Sequence, residues 1–216
     1  MSSTVPEEPK DQEFTKKLAA LMTGYQRGDA ASAETLVELV NPILARFLYA
    51  TSWPGVNLED MLQECWLRVH RSRSSYRPGE PPLPWLIAIA RHTRVDSFRR
   101  WQRTRGRETE LSEFDLNPIA APAGEARIQE NELLKLVEEL PEGQREVVVM
   151  LKITGMSIQE VALATGTSTG SVKQRAFRAY QALRAKLQRR DAEWRHGKSA
   201  GFQARSPESE PGDEMS

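Results

Sequence analysis

Residues 157 to 187 read SIQEVALATGTSTGSVKQRAFRAYQALRAKL, and this stretch decides how the chain is read. Ser157 followed three residues later by Glu160 is a capping box, in which the serine oxygen and the glutamate satisfy the orphan N–H groups at a helix start. Val161, Ala162 and Ala164 are small enough for a second helix to cross closely. Thr165-Gly166-Thr167 supplies the turn, with Gly166 free to take the positive φ that ends a helix, and Ser168 or Ser171 caps the next one. At about 100° per residue, Val172, Ala176, Ala179, Tyr180, Leu183 and Leu187 fall on an inward stripe, and Ser171, Gln174, Arg178 and Gln181 fall opposite. Seven basic residues and no acid lie between Lys173 and Arg190. A merely solvated helix mixes signs to gain pairs four residues apart. The pattern is a helix-turn-helix whose second helix meets DNA.

The chain has 216 residues and a formal net charge of zero, which hides a partition into blocks. Residues 1–65 carry a net −5, 66–107 carry +9, 108–146 carry −8, 147–190 carry +7 and 191–216 carry −3. Two basic blocks separated by an acidic one imply two nucleic-acid surfaces and an intervening segment that avoids them. The longest apolar runs, Trp85 to Ala90 and Val147 to Leu151, are far too short to span a membrane, and the N-terminus lacks an apolar signal core. These features point to a cytoplasmic protein. The single Cys65 sits in an apolar helical stripe and reads as core.

Outward from the helix-turn-helix, the periodicity predicts an all-α protein of two small helical domains joined by a flexible linker. Residues 1–12 read as a disordered tail. Phe14, Leu18, Leu21, Met22 and Tyr25 form a first helix, and Gly28-Asp29 breaks the chain and caps a second. That second helix continues through Leu36, Val37, Leu39 and Val40 until Pro42 kinks or restarts it. Ile43, Leu44, Phe47 and Leu48 carry the stripe to a turn at Trp53-Pro54-Gly55. Asn57 caps a third helix with Leu58, Met61, Leu62, Cys65, Trp66 and Val69 inward. Residues 72–84, SRSSYRPGEPPLP, read as a loop too rich in breakers for a helix. A fourth helix runs from Trp85 to about Arg103, with Leu86, Ile89, Ala90 and Thr93 inward. Its outer face presents Arg91, Arg94, Arg99, Arg100 and Arg103 among Trp85, Phe98 and Trp101, a mixture suited to single-stranded nucleic acid. The first domain therefore spans 13–103. Residues 104–127 form the acidic linker, 128–190 the second domain, and 191–216 a disordered tail. In the second domain, helices over Ile128–Glu139 and Gly143–Ile153 precede the helix-turn-helix.

An enzyme needs convergent polar groups, and none assemble here. There is no phosphate-binding glycine loop, no dinucleotide fingerprint and no Cys/His cluster at zinc spacing. His70, His92 and His196 are isolated, and Asp60 with Glu64 gives too few oxygens for a cation. The expectation is no catalytic residue, no metal, no cofactor and no small-molecule substrate.

Three stretches together resemble the bacterial sigma-70 family of RNA polymerase sigma factors, in particular the extracytoplasmic-function group that keeps only the second and fourth sigma domains. They are NLEDMLQECWLRVHRS at 57–72, YRPGEPPLPWLIAIARHTRVDSFRR at 76–100 and LPEGQREVVVMLKITGMSIQEVALATGTSTGSVKQRAFRAYQALR at 140–184. The resemblance implies a factor that binds core RNA polymerase, through its β′ and β subunits, and directs it to promoter DNA. It implies that Asp60, Gln63, Glu64, Leu67 and Arg68 dock on the β′ coiled coil. Tyr76, Arg77, Trp85, Arg91, Arg94, Arg99 and Arg100 would open and hold the minus-10 element. Ser171, Lys173, Gln174, Arg175, Phe177 and Arg178 would read the minus-35 element in the major groove. It also implies an anti-sigma factor, often membrane-anchored.

The chain departs from the family where Tyr180 replaces a commonly basic residue and Gln174 a commonly small one, so the minus-35 preference is not carried over. The C-terminal extension from Asp191 has no counterpart in the usual core. The competing reading is a free-standing helix-turn-helix regulator that binds a duplex operator alone, with residues 14–103 as its interaction domain.

Overall fold

The computed structural model describes the backbone of residues 9–105 and 136–203, and side chains within 12–103 and 136–189. Residues 106–127 of the predicted linker, most of the helix expected over Ile128–Glu139, and residues 204–216 lie outside the described residues, while Thr104 and Arg105 continue the fourth helix. Among the described residues all regular structure is helical. The chain divides into two compact units with the boundary between Ala179 and Tyr180.

In the first unit, α1 (Pro9–Gln26), α2 (Ala30–Thr51), α3 (Leu58–Ser72) and α4 (Pro82–Arg105) form one helical group. Leu36, Val40, Leu44, Phe47 and Leu48 of α2 are fully buried and form the spine against which α1, α3 and α4 pack. Asp29 caps α2 by accepting from the Ser32 N–H, and Asn57 caps α3 by accepting from the Glu59 and Asp60 N–H groups. The turn between α1 and α2 is tight enough to require a bare backbone at Gly24, where an added Cβ would stand 2.3 Å from Ser32 Oγ. A short 3₁₀ turn, Arg73–Ser75, follows α3.

Three boundaries differ from expectation. The helix runs unbroken through Pro42, because packing on both sides of the proline outweighs the loss of one backbone bond. The fourth helix starts at Pro82, three residues before Trp85, since a proline in the first turn gives up an N–H that has no helical partner anyway. The first helix begins at Pro9, inside the expected tail.

The second group comprises the helical residues 136–138, α5 (Glu142–Lys152), α6 (Ile158–Thr165) and the start of α7 (Thr169–Gln203). Both arms of the Ser157–Glu160 capping box are formed, at 2.8 and 3.2 Å, and Gly166 ends α6 at φ 63°. Ser168 Oγ accepts from the Ser171 N–H, which settles the cap of α7 on Ser168. Val161, Ala162, Ala164, Val172, Ala176 and Ala179 are buried, as the spacing requires. This group packs on the first, α5 against α2 and α6 against α4.

In the second unit, Leu183 is buried, but Tyr180 and Leu187, expected inward, are exposed. The helix continues to Gln203, past the expected end near Arg190.

Cys65 is completely buried, and that burial pushes its thiol up to about 12, against the lowering effects of Arg68 and Thr93. At pH 8 about one thiol in ten thousand is then thiolate, the reactive form. Native protein should leave Ellman's reagent unreacted over hours and titrate one thiol promptly in denaturant. Ser157→Ala should lower folding stability by about 1 kcal/mol, read as a lower thermal midpoint. Gln159→Ala, at an exposed position of the same helix, should leave it within about 0.5 kcal/mol.

Candidate nucleic-acid interface

The second helix of the helix-turn-helix presents Lys173, Gln174, Phe177 and Arg178 to solvent, with Ser171 and Arg175 half-buried at its edge. Phe177 is 63% exposed and Leu163, on α6, is 66% exposed. An exposed ring flanked by a guanidinium and an amide has the donors and apolar surface that base edges in a major groove accept. All six residues expected to read duplex DNA therefore lie on or beside one open face. The exposure of Leu163 was not expected; its sign in the sequence is an apolar residue off the inward stripe of α6.

A second basic face lies along the outer side of α4. Arg99, Arg100 and Arg103 are exposed and, with Asp96 and Gln102, line an open hollow. On another side of the same turns three half-buried rings cluster: Phe98 stacks on Trp101 with centroids 5.6 Å apart, and Trp53 lies 5.1 and 5.7 Å from the two. Trp53 comes from the turn after α2, and its Nε1 is buried without a partner. Its sequence context, Trp-Pro-Gly, signalled only a turn.

The loop before α4 is built differently from expectation. Tyr76 is buried, its hydroxyl donates to the Glu80 carbonyl, and its ring meets Trp85 edge-on at 5.8 Å. Gln26 Nε2 donates to the carbonyls of Arg73, at 2.6 Å, and Tyr76, at 2.8 Å, tying the loop to α1. Tyr76 thus anchors the loop and presents no surface to a base, whereas Arg77 is exposed at the tip. Burial is also what raises the Tyr76 hydroxyl above its ordinary value, with Glu80 adding to it.

Arg94 corrects the expectation most. The stripe Leu86, Ile87, Ala90, Thr93 and Arg94 faces inward, and Arg94 is buried. Its Nη1 donates to the Thr51 carbonyl at 2.9 Å, and its Nη2 donates to Glu142 Oε1 at 2.7 Å and also to Glu146 Oε1. Arg91 Nε reaches the other oxygen of Glu146 at 3.1 Å. Side-chain exposure is 5% for Arg94 and 4% for Glu146, so the pair is dry, whereas Glu142 is 68% exposed. Removing one partner of such a pair strands a buried charge and costs about 3–5 kcal/mol. Ile89, expected inward, is only half-buried; Ile87 holds the core position.

On α3, Asp60, Gln63, Glu64, Leu67 and Arg68 share one face, with Asp60, Gln63 and Leu67 exposed. Arg68 bridges Glu64 at 2.9 Å and Asp96 of α4 at 2.7 Å. Its hydrogen bonds hold both carboxyls below their ordinary range and raise the guanidinium in turn. These groups are roughly a third exposed, so each bridge contributes at most about 1 kcal/mol. The bridge fixes the face of α3 relative to α4, and Asp96 is the member that spacing alone did not reveal. Among the described residues, no three His, Cys, Asp or Glu side chains gather as a metal site, and no helix is long and apolar enough to cross a membrane.

Two family profiles match this architecture: Sigma-70 region 2 over residues 36–104, and Sigma-70 region 4 over residues 130–183. RNA polymerase sigma factor CarQ of Myxococcus xanthus is 32% identical over 166 residues, covering 77% of this chain and 95% of that protein. ECF RNA polymerase sigma factor SigF of Caulobacter vibrioides is 30% identical over 177 residues, covering 82% and 97%. Among solved structures, that of CnrH in complex with the cytosolic domain of CnrY superposes with a TM-score of 0.57 at 24% identity, over 81% of this chain and 97% of that one. The sigma factor RpoE of Bartonella quintana, in complex with the anti-sigma factor NepR, gives 0.56 at 24% identity, over 72% and 96%. The two structures share the fold.

Proposed function

This chain belongs to the sigma-70 family of RNA polymerase sigma factors, in its extracytoplasmic-function group, and from that premise we propose how its surfaces divide the work of promoter-specific initiation. As a sigma factor it binds core RNA polymerase and directs it to promoter DNA. Residues 13–103 act as the region 2 domain and 128–190 as the region 4 domain, with 104–127 connecting them through the polymerase. The face of α3 bearing Asp60, Gln63, Glu64, Leu67 and Arg68 docks on polymerase. Arg77, Arg99 and Arg100, with the rings of Trp53, Phe98 and Trp101, follow the non-template strand at the minus-10 element, where guanidinium planes and rings accept unstacked bases. Lys173, Gln174, Phe177 and Arg178, edged by Ser171 and Arg175, read the minus-35 element. The chain works in the cytoplasm as a binding factor without catalytic residues, and an anti-sigma factor restrains it by covering these faces.

The observation that carries this division is the exposed face of α7, with Phe177 open to water between Gln174 and Arg178. An aromatic ring left out of the core in this position is accounted for by a partner that buries it.

Reconstitution with core RNA polymerase on genomic DNA, followed by sequencing of run-off transcripts, tests the assignment. Defined start sites that depend on the added chain are expected, and a tight duplex complex without polymerase would favour the free-standing regulator instead. Arg178→Ala should weaken initiation at a minus-35-dependent promoter by about 1–3 kcal/mol with the thermal midpoint unchanged. Arg99→Ala combined with Arg100→Ala should reduce promoter opening in permanganate footprints while leaving minus-35 contacts in place. A wild-type bubble in that variant at moderate salt would remove the strand-holding role of α4.

A further inference from the structure

The loop between α3 and α4 is held at its base and open at its tip. Its base hangs from α1. Gln26, the last residue of that helix, donates through Nε2 to the Arg73 carbonyl at 2.6 Å and to the Tyr76 carbonyl at 2.8 Å. A primary amide has two N–H donors, and both are used here. Gln26 is itself firmly mounted. The Asp29 N–H donates to the Gly24 carbonyl at 3.1 Å, the Gly28 N–H donates to the Tyr25 carbonyl at 3.1 Å, and Ser32 fills the space beside the bare Gly24 backbone. The neighbouring Tyr25 hydroxyl lies 2.8 Å from His70 Nδ1, and the Arg73 guanidinium stands 5.8 Å from the Tyr25 ring centre while donating to the His70 carbonyl at 2.6 Å. The ends of α1 and α3 therefore clamp the loop together, and the Tyr76 hydroxyl, donating to the Glu80 carbonyl, closes it on itself.

The tip has the opposite character. Arg77 and Glu80 keep 83% and 63% of their side chains in water, with Arg77 Nη1 3.9 Å from Glu80 Oε1. An ion pair this exposed adds little stability. It does set a donor beside an acceptor, the complement of the Watson–Crick edge of an unstacked base. Gly79 makes that placement possible: its φ of 96° turns the chain so that the Glu80 N–H donates to the Arg77 carbonyl at 3.2 Å. Telling one base from another with such a pair requires donor and acceptor to stay in register. A loop ordered only on encounter would lose affinity and register together.

We propose that Gln26 is a positioning residue for base reading at the minus-10 element: by fixing the Arg73 and Tyr76 carbonyls it holds the Arg77–Glu80 tip in register with one unstacked base of the non-template strand. This rests on the assignment of the loop and α4 to that element made above.

Full-length variants are assayed with core polymerase on a promoter library in which each minus-10 and minus-35 base is varied in turn, with transcripts counted by sequencing. Gln26→Met keeps the length of the side chain and removes both donors. It should flatten the preference at a single minus-10 position by about tenfold, the scale of one good base-edge contact, and leave every other position as in wild type. Gln26→Lys, which keeps donors on an unbranched stem, should retain the preference. Arg77→Ala combined with Glu80→Ala should flatten the same position, and adding Gln26→Met to that pair should flatten it no further, the non-additivity expected of residues that act through one another. Melting curves are taken for each, and Gln26→Ala, which admits water to the two carbonyls, replaces Gln26→Met if the latter fails to fold. A uniform loss of transcription with base preference intact overturns the positioning role, as does equal flattening in Gln26→Lys or flattening at a position the tip variant leaves alone. No chain-dependent transcription from wild type overturns the sigma reading beneath it.

Discussion

A guanidinium removed from water must find acceptors for its donors, and the burial of Arg94 on the inner stripe of α4 organises the molecule around that demand. Thr51 at the end of α2 supplies a carbonyl, and Glu142 and Glu146 at the start of α5 supply carboxylates. One side chain therefore joins the last turn of α2, the inner face of α4 and the start of α5. The Arg94 Nε remains without a partner, so the satisfaction is incomplete. A dry ion pair of this kind adds little net stability compared with an apolar replacement, yet it specifies one arrangement sharply because every misalignment strands a charge.

What could be read from the sequence follows the range of the interactions involved. The helix-turn-helix was legible down to its caps because Ser157, Glu160 and Gly166 act within one turn of chain, and local hydrogen bonds leave local signatures. The outer face of α7 was legible for the same reason, as the complement of a short buried stripe. Arg94 and Tyr76 were not, because their partners lie 43 to 52 residues away for the arginine, and a backbone carbonyl across a loop holds the tyrosine. In helical phase Arg94 shares the core stripe of Leu86, Ile87, Ala90 and Thr93. The rule that arginine faces water fails where acidic residues from elsewhere in the chain are delivered to the same place. Trp53 escaped notice because a turn explains Trp-Pro-Gly without any appeal to the rings on α4.

The alternation of charged blocks along the chain takes on a second meaning in the fold. Acidic and basic stretches first suggested segments that avoid and seek nucleic acid. Within the folded unit two acids of one block reach two bases of another, so part of the basic surface is neutralised internally, while Arg99, Arg100 and Arg103 beyond it are exposed to water. The exposed positive charge of α4 is therefore concentrated in its distal turns.

Leu163 and Phe177 have a consequence at the level of the cell's stock of this protein. Each keeps well over half its surface in water, and burying a side chain of that size is worth about 1.5–3 kcal/mol. Surface of this kind is satisfied equally well by DNA, by another protein, or by a second copy of the chain. As the amount of free protein rises above that of its partners, self-association becomes the available outlet, so solubility falls with overproduction. Synthesis of this chain in step with a partner that covers these side chains would close that outlet.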